Sequence, residues 1–429
     1  MNTTPTTEND QKGSTFIVVM VMTLLGMLAA GSILSTTLMR MRVADKQISL
    51  EQAFYIAAAG AERAASHVAD GNEASTTLTG SLGAGSYSVT IISERSSEGE
   101  LLFDVTSDGT VKDVTRRVVL HGIRRVSWAK YALWYDSEMP KLWIVPGERF
   151  DGRVYSRPQF HFHDQNLATK GQARFTDKAW TAAATIEKAS SKVNPIFDQG
   201  LTTSAEIESM SSVDFSDMLT KASSDGLVLE GETSVTLVGS TMRITNSRAG
   251  WNNQAVSIPA NGMLYVKTVT VTTGTGHKKT TTTYTGDVDV AAPSGLAGRL
   301  TIVADNDINI VDHVRYANNP ETDPTSTDAL GLIAKQNVVV ETSAPNNVDI
   351  YAHIIAQLGG FGVRNYSSGY SRGMLNVYGG IVNAVRNPVG IVGGAGYNKN
   401  YTFDKRFSTM PPPNYPKLVD ELEWTNWDG

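Results

Sequence analysis

The chain contains no cysteine and few charged residues, and both shortages restrict what it can be. The lack of cysteine excludes thiolate catalysis, cysteine-ligated zinc and disulfide cross-links. Charged residues make up 19% of the sequence, and 43 acidic against 37 basic side chains argue against a surface that binds polyanions throughout. No Ser/His/Asp signature, phosphate loop or dinucleotide fingerprint occurs. The sequence therefore predicts a protein with no enzymatic activity and no cofactor.

Charge and proline are also missing from a long N-terminal segment. Ser14 to Met39 carries no charged side chain, and no proline occurs from Ser14 to Val68. The first half of this segment is long and apolar enough to cross a bilayer as a helix. Leu50, Phe54, Ala57 and Ala61 then recur at helical spacing between charged residues, so the second half is amphipathic. A continuous helix over 14–68 would be about 80 Å long. A secretory signal cleaved near Ala30 and a plain membrane anchor are the alternatives.

Two short stretches of this segment resemble the type IV pilin superfamily. The leader "NDQKG" before "STFIVVMVM" matches the prepilin peptidase pattern, which implies cleavage between Gly13 and Ser14. "LEQAFYIAAAGAERA" (50–64) is similar to the signature of PilX-type minor pilins. The resemblance implies that residues 1–13 are a leader and that 14–68 form a pilin helix. It also implies that Phe16, Val18 and Phe54 pack against other pilins or pseudopilins in a filament.

Val18 departs from the usual pilin pattern. Most pilins carry glutamate as the fifth residue of the mature chain, where it pairs with the neighbouring subunit's N-terminal amine; here that residue is Val18. A buried carboxylate needs a partner and valine needs none. The K-type pseudopilins also lack the glutamate and sit at the filament tip. The resemblance therefore implies a tip or priming role.

The basic residues after the apolar run conflict with this interpretation. Arg40, Arg42 and Lys46 follow the run, whereas only Lys12 precedes it, and the positive-inside rule would leave the large domain in the cytoplasm. Pilin-like proteins nevertheless export that side. We therefore expect a single-pass inner-membrane protein, inserted through residues 14–39, whose C-terminal domain lies outside the cytoplasm and later reaches the cell surface. An inner-membrane assembly platform is an implied partner.

Residues 69–126 are predicted to form a small antiparallel β module. The segments 85–93, 100–111 and 114–125 alternate apolar and polar residues, which is typical of strands with one buried face. "TSDGTV" contains an Asp-Gly pair, at Asp108 and Gly109, that favours a hairpin turn. The sequence predicts three strands that lie on the second half of the helix.

Residues 127–405 contain an internal near-repeat. "IVADNDINI" (302–310), "LIAKQNVVV" (332–340), "IIAQLGGFGV" (354–363) and a weaker copy from 381 agree in residue class. Each copy is two short strands around a polar turn and cannot bury its apolar face alone. Stacked copies predict a parallel β-solenoid, with a β-sandwich as the alternative. The region resembles, loosely, the solenoid domains that follow PilX-type helices. The fold class is thus α+β: a long helix, a small antiparallel module and a mainly-β solenoid.

Two other parts of this region carry weaker predictions. Residues 165–225, including "KAWTAAATIEKASSKV" (178–193), are expected to be helical or loop-like. Residues 406–429 form a tail in which "PPPNYP" (411–416) is extended and Trp424 and Trp427 cap the last rung.

Few residues are candidates for ligand binding. His161 and His163 lie on one strand face and are weak metal-ligand candidates, with surface histidines as the alternative. Lys278, Lys279 and Tyr284 belong to a polar hairpin that can touch glycan or DNA, or can simply be solvated. Asp305, Asp307, Asp312 and Arg315 have the residue types of a polysaccharide lyase site, but solenoid turns have the same composition.

The sequence therefore predicts a non-enzymatic minor pilin or pseudopilin that enters or caps a filament and serves adhesion or partner binding. A membrane-anchored surface β-helix that binds or acts on polysaccharide is one alternative. A DNA-receptor tip pilin is another.

Overall fold

The computed structural model describes residues 11–95, 101–206, 210, 213–274 and 278–428, so leader residues 1–10 lie outside it. The chain divides into two compact units. The first, called the helix unit, comprises Met1–Glu94, Leu102–Arg124 and Glu423–Gly429. The second, called the ladder unit, comprises Arg95–Leu101 and Arg125–Leu422. The predicted domain limits, at 68/69, 126/127 and 405/406, stay predictions.

A long N-terminal helix is followed by mostly β structure, which makes the chain α+β. The helices are α1 Gln11–Ala69, α2 Leu167–Lys170 and α3 Phe215–Asp225, with 3₁₀ turns at Trp128–Lys130 and Lys405–Ser408. The strands up to residue 202 are β1 Thr76–Leu82, β2 Gly85–Arg95, β3 Leu101–Val111, β4 Val114–Ser127, β5 Tyr131–Glu138, β6 Arg149–Phe150, β7 Arg153–Ser156, β8 His161–Phe162, β9 Arg174–Phe175, β10 Ala179–Thr181, β11 Glu187–Lys188, β12 Ile196–Phe197 and β13 Leu201–Thr202.

The remaining strands follow α3. They are β14 Leu227–Glu230, β15 Thr233–Val238, β16 Thr241–Asn246, β17 Trp251–Ser257, β18 Met263–Lys267, β19 Val269–Thr273, β20 Thr280–Tyr284, β21 Val288–Leu296, β22 Arg299–Ala304, β23 Ile308–Tyr316, β24 Ala329–Ala334, β25 Val338–Val340, β26 Val348–Ala356, β27 Phe361–Val363, β28 Ser371–Arg386, β29 Gly396–Phe403, β30 Lys417–Glu423 and β31 Asn426–Asp428.

The sheet of the helix unit has more strands than its sequence predicts. Strands β1 to β4 pair in chain order, and β31, from the end of the chain, pairs antiparallel with β4. The prediction of three strands missed β1. The prediction that Trp427 caps a solenoid rung is wrong, because β31 belongs to this sheet and the Trp427 ring lies 6.4 Å from that of Phe54.

The predicted Asp108-Gly109 turn is also wrong. Both residues lie inside β3, opposite Arg117 and Arg116 of β4, and the chain turns between β3 and β4 at Lys112, whose φ is 54°. Gly109 is needed for a different reason. A Cβ atom there would overlap the Ala53 carbonyl oxygen and the Ala57 nitrogen of α1. The glycine permits close packing of helix on sheet rather than a reversal of the chain.

The ladder unit is built mainly from parallel strand pairs, whereas β15–β16, β16–β17 and β19–β20 pair antiparallel. Ile302 lies opposite Leu332, Leu332 opposite Ile354, and Ile354 opposite Ile381. These four residues are the first positions of the four copies of the near-repeat. The strands therefore align copy on copy and bury the equivalent side chains in one apolar core.

The ladder does not follow the order of the chain. Strand β28 pairs in parallel with β5, which places Ile381 opposite Leu133, and β5 continues to β7, β10 and β13. In the other direction the ladder runs from β22 to β18 and β14. Residues from the two ends of the ladder unit thus meet at its middle.

The expectation that residues 165–225 are helical or loop-like holds only in part. It holds for α2 and for α3, whose N-terminus is capped by Asp214, but residues 178–193 contain β10 and β11. Ala179 and Thr181 are buried, and β10 pairs with β7 and β13. Backbone pairing on both edges outweighs the helix propensity of an alanine-rich segment.

Candidate assembly helix and surface sites

The first half of α1 exposes a continuous apolar surface. Phe16 is 71% exposed and Val18 is 55% exposed. The other large apolar side chains of this half are similarly uncovered: Ile17, Val19, Met20, Val21, Met22, Leu24, Leu25, Met27, Leu28, Ile33, Leu34, Leu38 and Met39. Within the described residues, α1 is the one helix long and apolar enough to cross a membrane. Apolar surface of this extent requires lipid or protein to cover it.

Three threonine hydroxyls in this half of α1 are satisfied within the helix. The Thr23, Thr36 and Thr37 hydroxyls donate hydrogen bonds to backbone carbonyls one turn earlier, at 2.8–2.9 Å. These hydroxyls therefore do not need water. Gly13 and Ser14 lie within the helical backbone of α1. The proposed cleavage junction between them is untested.

The second half of α1 packs on the sheet of the helix unit through small side chains. Ala53, Ala57, Gly60, Ala61 and Ala64 are buried. A Cβ atom on Gly60 would overlap the Ser107 hydroxyl. Small residues at helical spacing let the axis of α1 approach the sheet closely. The two halves of α1 thus differ. The first half exposes apolar side chains, whereas the second half packs its small side chains against the sheet of the same chain.

Phe54 and its neighbour differ in exposure. The Phe54 ring is half-buried, with edge-on contacts to Trp427 and to Tyr55 at 5.7 Å. Tyr55 is 69% exposed. Of the residues predicted to pack in a filament, Phe54 is thus partly used within its own chain, and its role in a filament stays a prediction.

The hairpin does not bring Tyr284 to Lys278 and Lys279, because the lysines precede β20 and Tyr284 is its last residue. Strands β19 and β20 pair antiparallel, both lysines are exposed, and residues 275–277 lie outside the described chain. The Tyr284 ring is covered on one face by the Arg248 guanidinium at 4.5 Å, and Arg248 pairs with Glu230 at 2.8 Å. That ring face is not available to a ligand in this arrangement.

The two histidines have different surroundings. His161 lies between two carboxylates: its Nε2 is 2.9 Å from Glu138 Oε1, and its Nδ1 is 2.8 Å from Glu187 Oε2. Burial raises the pKa of Glu138, whereas a hydrogen bond from Lys141 holds the pKa of Glu187 below its ordinary value. His163 packs edge-on against Trp143 at 5.3 Å.

Sequence reasoning missed these carboxylates because they are distant along the chain. Pairing of β8 with β11 places Glu187 opposite His161, and such a register leaves no local signal. No group of three or more histidine, aspartate or glutamate side chains suited to a metal occurs within the described residues. His161 thus shares a cluster with two carboxylates, and the roles of His161 and His163 as metal ligands stay predictions.

The carboxylates considered for a lyase site are occupied separately. Asp305 accepts hydrogen bonds from the Tyr265 hydroxyl and, at 2.9 Å, from the Thr268 amide. Asp307 binds Asn337, and Arg315 pairs with Asp349 at 2.5 Å. Each group has its own structural partner.

Comparison with known proteins adds little. No protein-family model matches the sequence, and no curated protein matches it. One solved structure with some similarity is the competence-associated pilin ComZ from Thermus thermophilus, with a TM-score of 0.31 and 11% identity over 89% of this chain and 97% of that chain. Similarity at this level does not establish a shared fold.

Proposed function

We propose that this chain is a non-enzymatic minor pilin or pseudopilin of a type IV pilus-like filament. The supporting observation is the form of α1. A Gly13–Ser14 junction leads into a bare apolar half, and the same helix continues into a half that packs on an antiparallel sheet. Lipid covers the bare half before assembly, and neighbouring pilins or pseudopilins cover it afterwards.

The proposal assigns a sequence of locations and partners. The chain first spans the inner membrane once, with its C-terminal portion outside the cytoplasm. Prepilin peptidase then cleaves between Gly13 and Ser14, and an assembly platform inserts the mature helix into the filament, which carries it to the cell surface. Val18 supports a tip or priming position, because an apolar side chain at the fifth mature position makes no demand on a further subunit.

The ladder unit supplies the proposed adhesive part. Its copy-on-copy parallel register supports a β-solenoid, in which each rung covers the apolar face of the next. Such a stack is stiff and exposes long strand faces and turns, which suits adhesion or the binding of a partner.

Processing at Gly13 tests this proposal. Co-expression with a prepilin peptidase is expected to remove residues 1–13 from the wild-type chain, as read by intact mass. Gly13→Leu should block the cleavage because the glycine precedes the scissile bond. Gly26→Leu is the matched control: Gly26 lies within α1 with nothing within 4 Å of its added Cβ, so processing should persist. An uncleaved wild-type chain would contradict the proposal.

A membrane-anchored surface protein that binds polysaccharide is a second candidate. A polar groove beside Trp180 in the ladder unit favours it. A protein of that kind would keep residues 1–13, so the same mass measurement separates the two functions.

A further inference from the structure

A polar groove of about 830 Å³ opens on the ladder unit. Its walls come from four separate segments of the chain: residues 149–153, residues 176–180, Gln199 and residues 403–408. The side chains that give it its chemistry are Arg153, Asp177, Lys178, Trp180, Gln199 and Lys405.

The groove is more positive than the chain as a whole. The Arg149 guanidinium pairs with Asp151 at 2.7 Å, so these two charges offset each other. Within the part of the chain that the structure describes, Arg153, Lys178 and Lys405 have no carboxylate partner. Asp177 is the remaining carboxylate, and one of its oxygens accepts the Lys178 amide hydrogen at 2.7 Å. A protein of net charge −6 thus concentrates positive charge in one groove, which attracts anions.

Trp180 gives the groove an apolar platform. Its ring is half-buried and packs against an apolar cluster that includes Trp134 and Tyr155, which fixes the indole. Lys178 Nζ lies over one face of the ring, 5.3 Å from its centroid, and this exposed side chain has to move aside for a sugar ring to stack on that face. A fixed indole beside cations receives the C–H face of a sugar ring while the cations meet an acidic substituent.

The acceptors in the groove decide between two kinds of anion. Asp177, the Gln199 amide and the Thr176 hydroxyl, which bonds Asp151 at 3.1 Å, offer several oxygen acceptors near the cations. Sugar hydroxyls donate to such acceptors. A DNA phosphodiester backbone is also anionic but carries no donor for these acceptors. The mixture therefore favours a ligand that combines negative charge with hydroxyl donors.

We propose that this groove binds an acidic oligosaccharide, a chain of hydroxyl-rich sugar rings that carries carboxylate groups. The proposal does not depend on assembly into a filament, because every residue of the groove lies in the ladder unit. It assigns a site and a ligand class to the adhesive role.

Titration calorimetry on the unprocessed full-length chain in detergent tests the proposal, with short oligogalacturonate as the probe. Binding is expected, and added salt should weaken it. Lys405→Glu, at an exposed position, should lower the affinity about tenfold by reversing one charge. Trp180→Ala should lower it as well, and Trp424→Ala is the matched control at a tryptophan outside the groove, 56% exposed.

Four results would overturn the proposal. These are no binding of oligogalacturonate, unchanged affinity in Lys405→Glu, equal binding of a neutral malto-oligosaccharide, and displacement by a single-stranded oligonucleotide that binds more tightly. If Trp180→Ala fails to fold, Lys405→Glu still tests the proposal, because Lys405 is exposed and its substitution should not disturb the fold. The binding experiment uses uncleaved protein, so its result does not depend on processing at Gly13. Absence of oligosaccharide binding would not contradict the pilin proposal, and absence of cleavage would not contradict the oligosaccharide site.

Discussion

His353 is a buried base in the ladder unit. Its Nε2–H donates to the Tyr131 carbonyl at 3.1 Å, and its Nδ1 accepts from the Tyr415 hydroxyl at 2.7 Å. Burial lowers the pKa of His353 to about 3. The residue joins the 411–416 segment to the ladder, and Thr301 and Arg299 hold the same segment through the Pro413 and Pro411 carbonyls. This segment lies along the ladder, but the prediction that it is extended holds only in part, because the chain turns at Pro412–Tyr415, where Asn414 has a φ of 51°.

The stability of the ladder unit should therefore depend on His353 in acid. The unfolded chain, whose histidine pKa is about 6.5, binds a proton that the folded chain does not. The stabilisation is complete above about pH 6.5 and is lost as the pH falls toward 3, with about 3 kcal/mol lost by about pH 4.

His353→Gln should remove this part of the pH dependence, measured by urea denaturation across the acid range. His163→Gln, at a partly exposed histidine, is the matched control for the substitution itself, against which the change in slope is measured. Equal slopes for wild type and His353→Gln would contradict the account.

At the scale of elements, the ladder is held together by apolar side chains that stack from strand to strand. Leu332 of β24 is fully buried between Ile302 of β22 and Ile354 of β26. Each strand shields its neighbours from water. The loss of one buried side chain therefore leaves a cavity that removes packing contacts from both adjacent strands.

Leu332→Ala should accordingly lower the free energy of unfolding by about 2–5 kcal/mol. Leu358→Ala makes the same chemical change at a side chain that is 56% exposed and should cost less than about 0.5 kcal/mol. Denaturant titration followed by tryptophan fluorescence measures both. Equal costs would show that position 332 is not a core position.

Some strand pairings of the ladder unit could be predicted from the sequence, and others could not. The near-repeat in the sequence aligned residues 302, 332, 354 and 381, and in the structure these residues lie opposite one another on successive strands. The repeat is visible in the sequence because each copy must place an apolar side chain at the same position to pair with the next. The junction of β28 with β5 has no such signal, because Ile381 and Leu133 belong to different parts of the sequence.

Single residues mislead when distant packing decides their role. Gly109 has the local signature of a turn, yet its lack of a side chain serves the contact with α1. The pairing of His161 with Glu187 likewise depends on strand register and not on local sequence. The groove at Trp180 was not predicted at all, since it gathers side chains from four separate segments.

At the scale of the whole molecule, the chain combines an apolar helix that requires covering with a large β-rich portion rich in polar turns. The first half of α1 is bare, whereas the second half is packed within the helix unit. A simple anchor needs only the lipid-soluble half. The continuation of one helix into a sheet-packed half is consistent with the proposed filament subunit, in which helix and sheet would move together.

The most direct test of the central proposal is immunogold labelling of sheared filaments with an antibody against the ladder unit. A minor pilin or pseudopilin at the tip predicts gold at filament ends, together with a chain that begins at Ser14. Gold spread evenly along the fibre would contradict the tip position inferred from Val18. Unlabelled filaments, with all of the chain uncleaved in the membrane fraction, would contradict the proposal that it is a filament subunit.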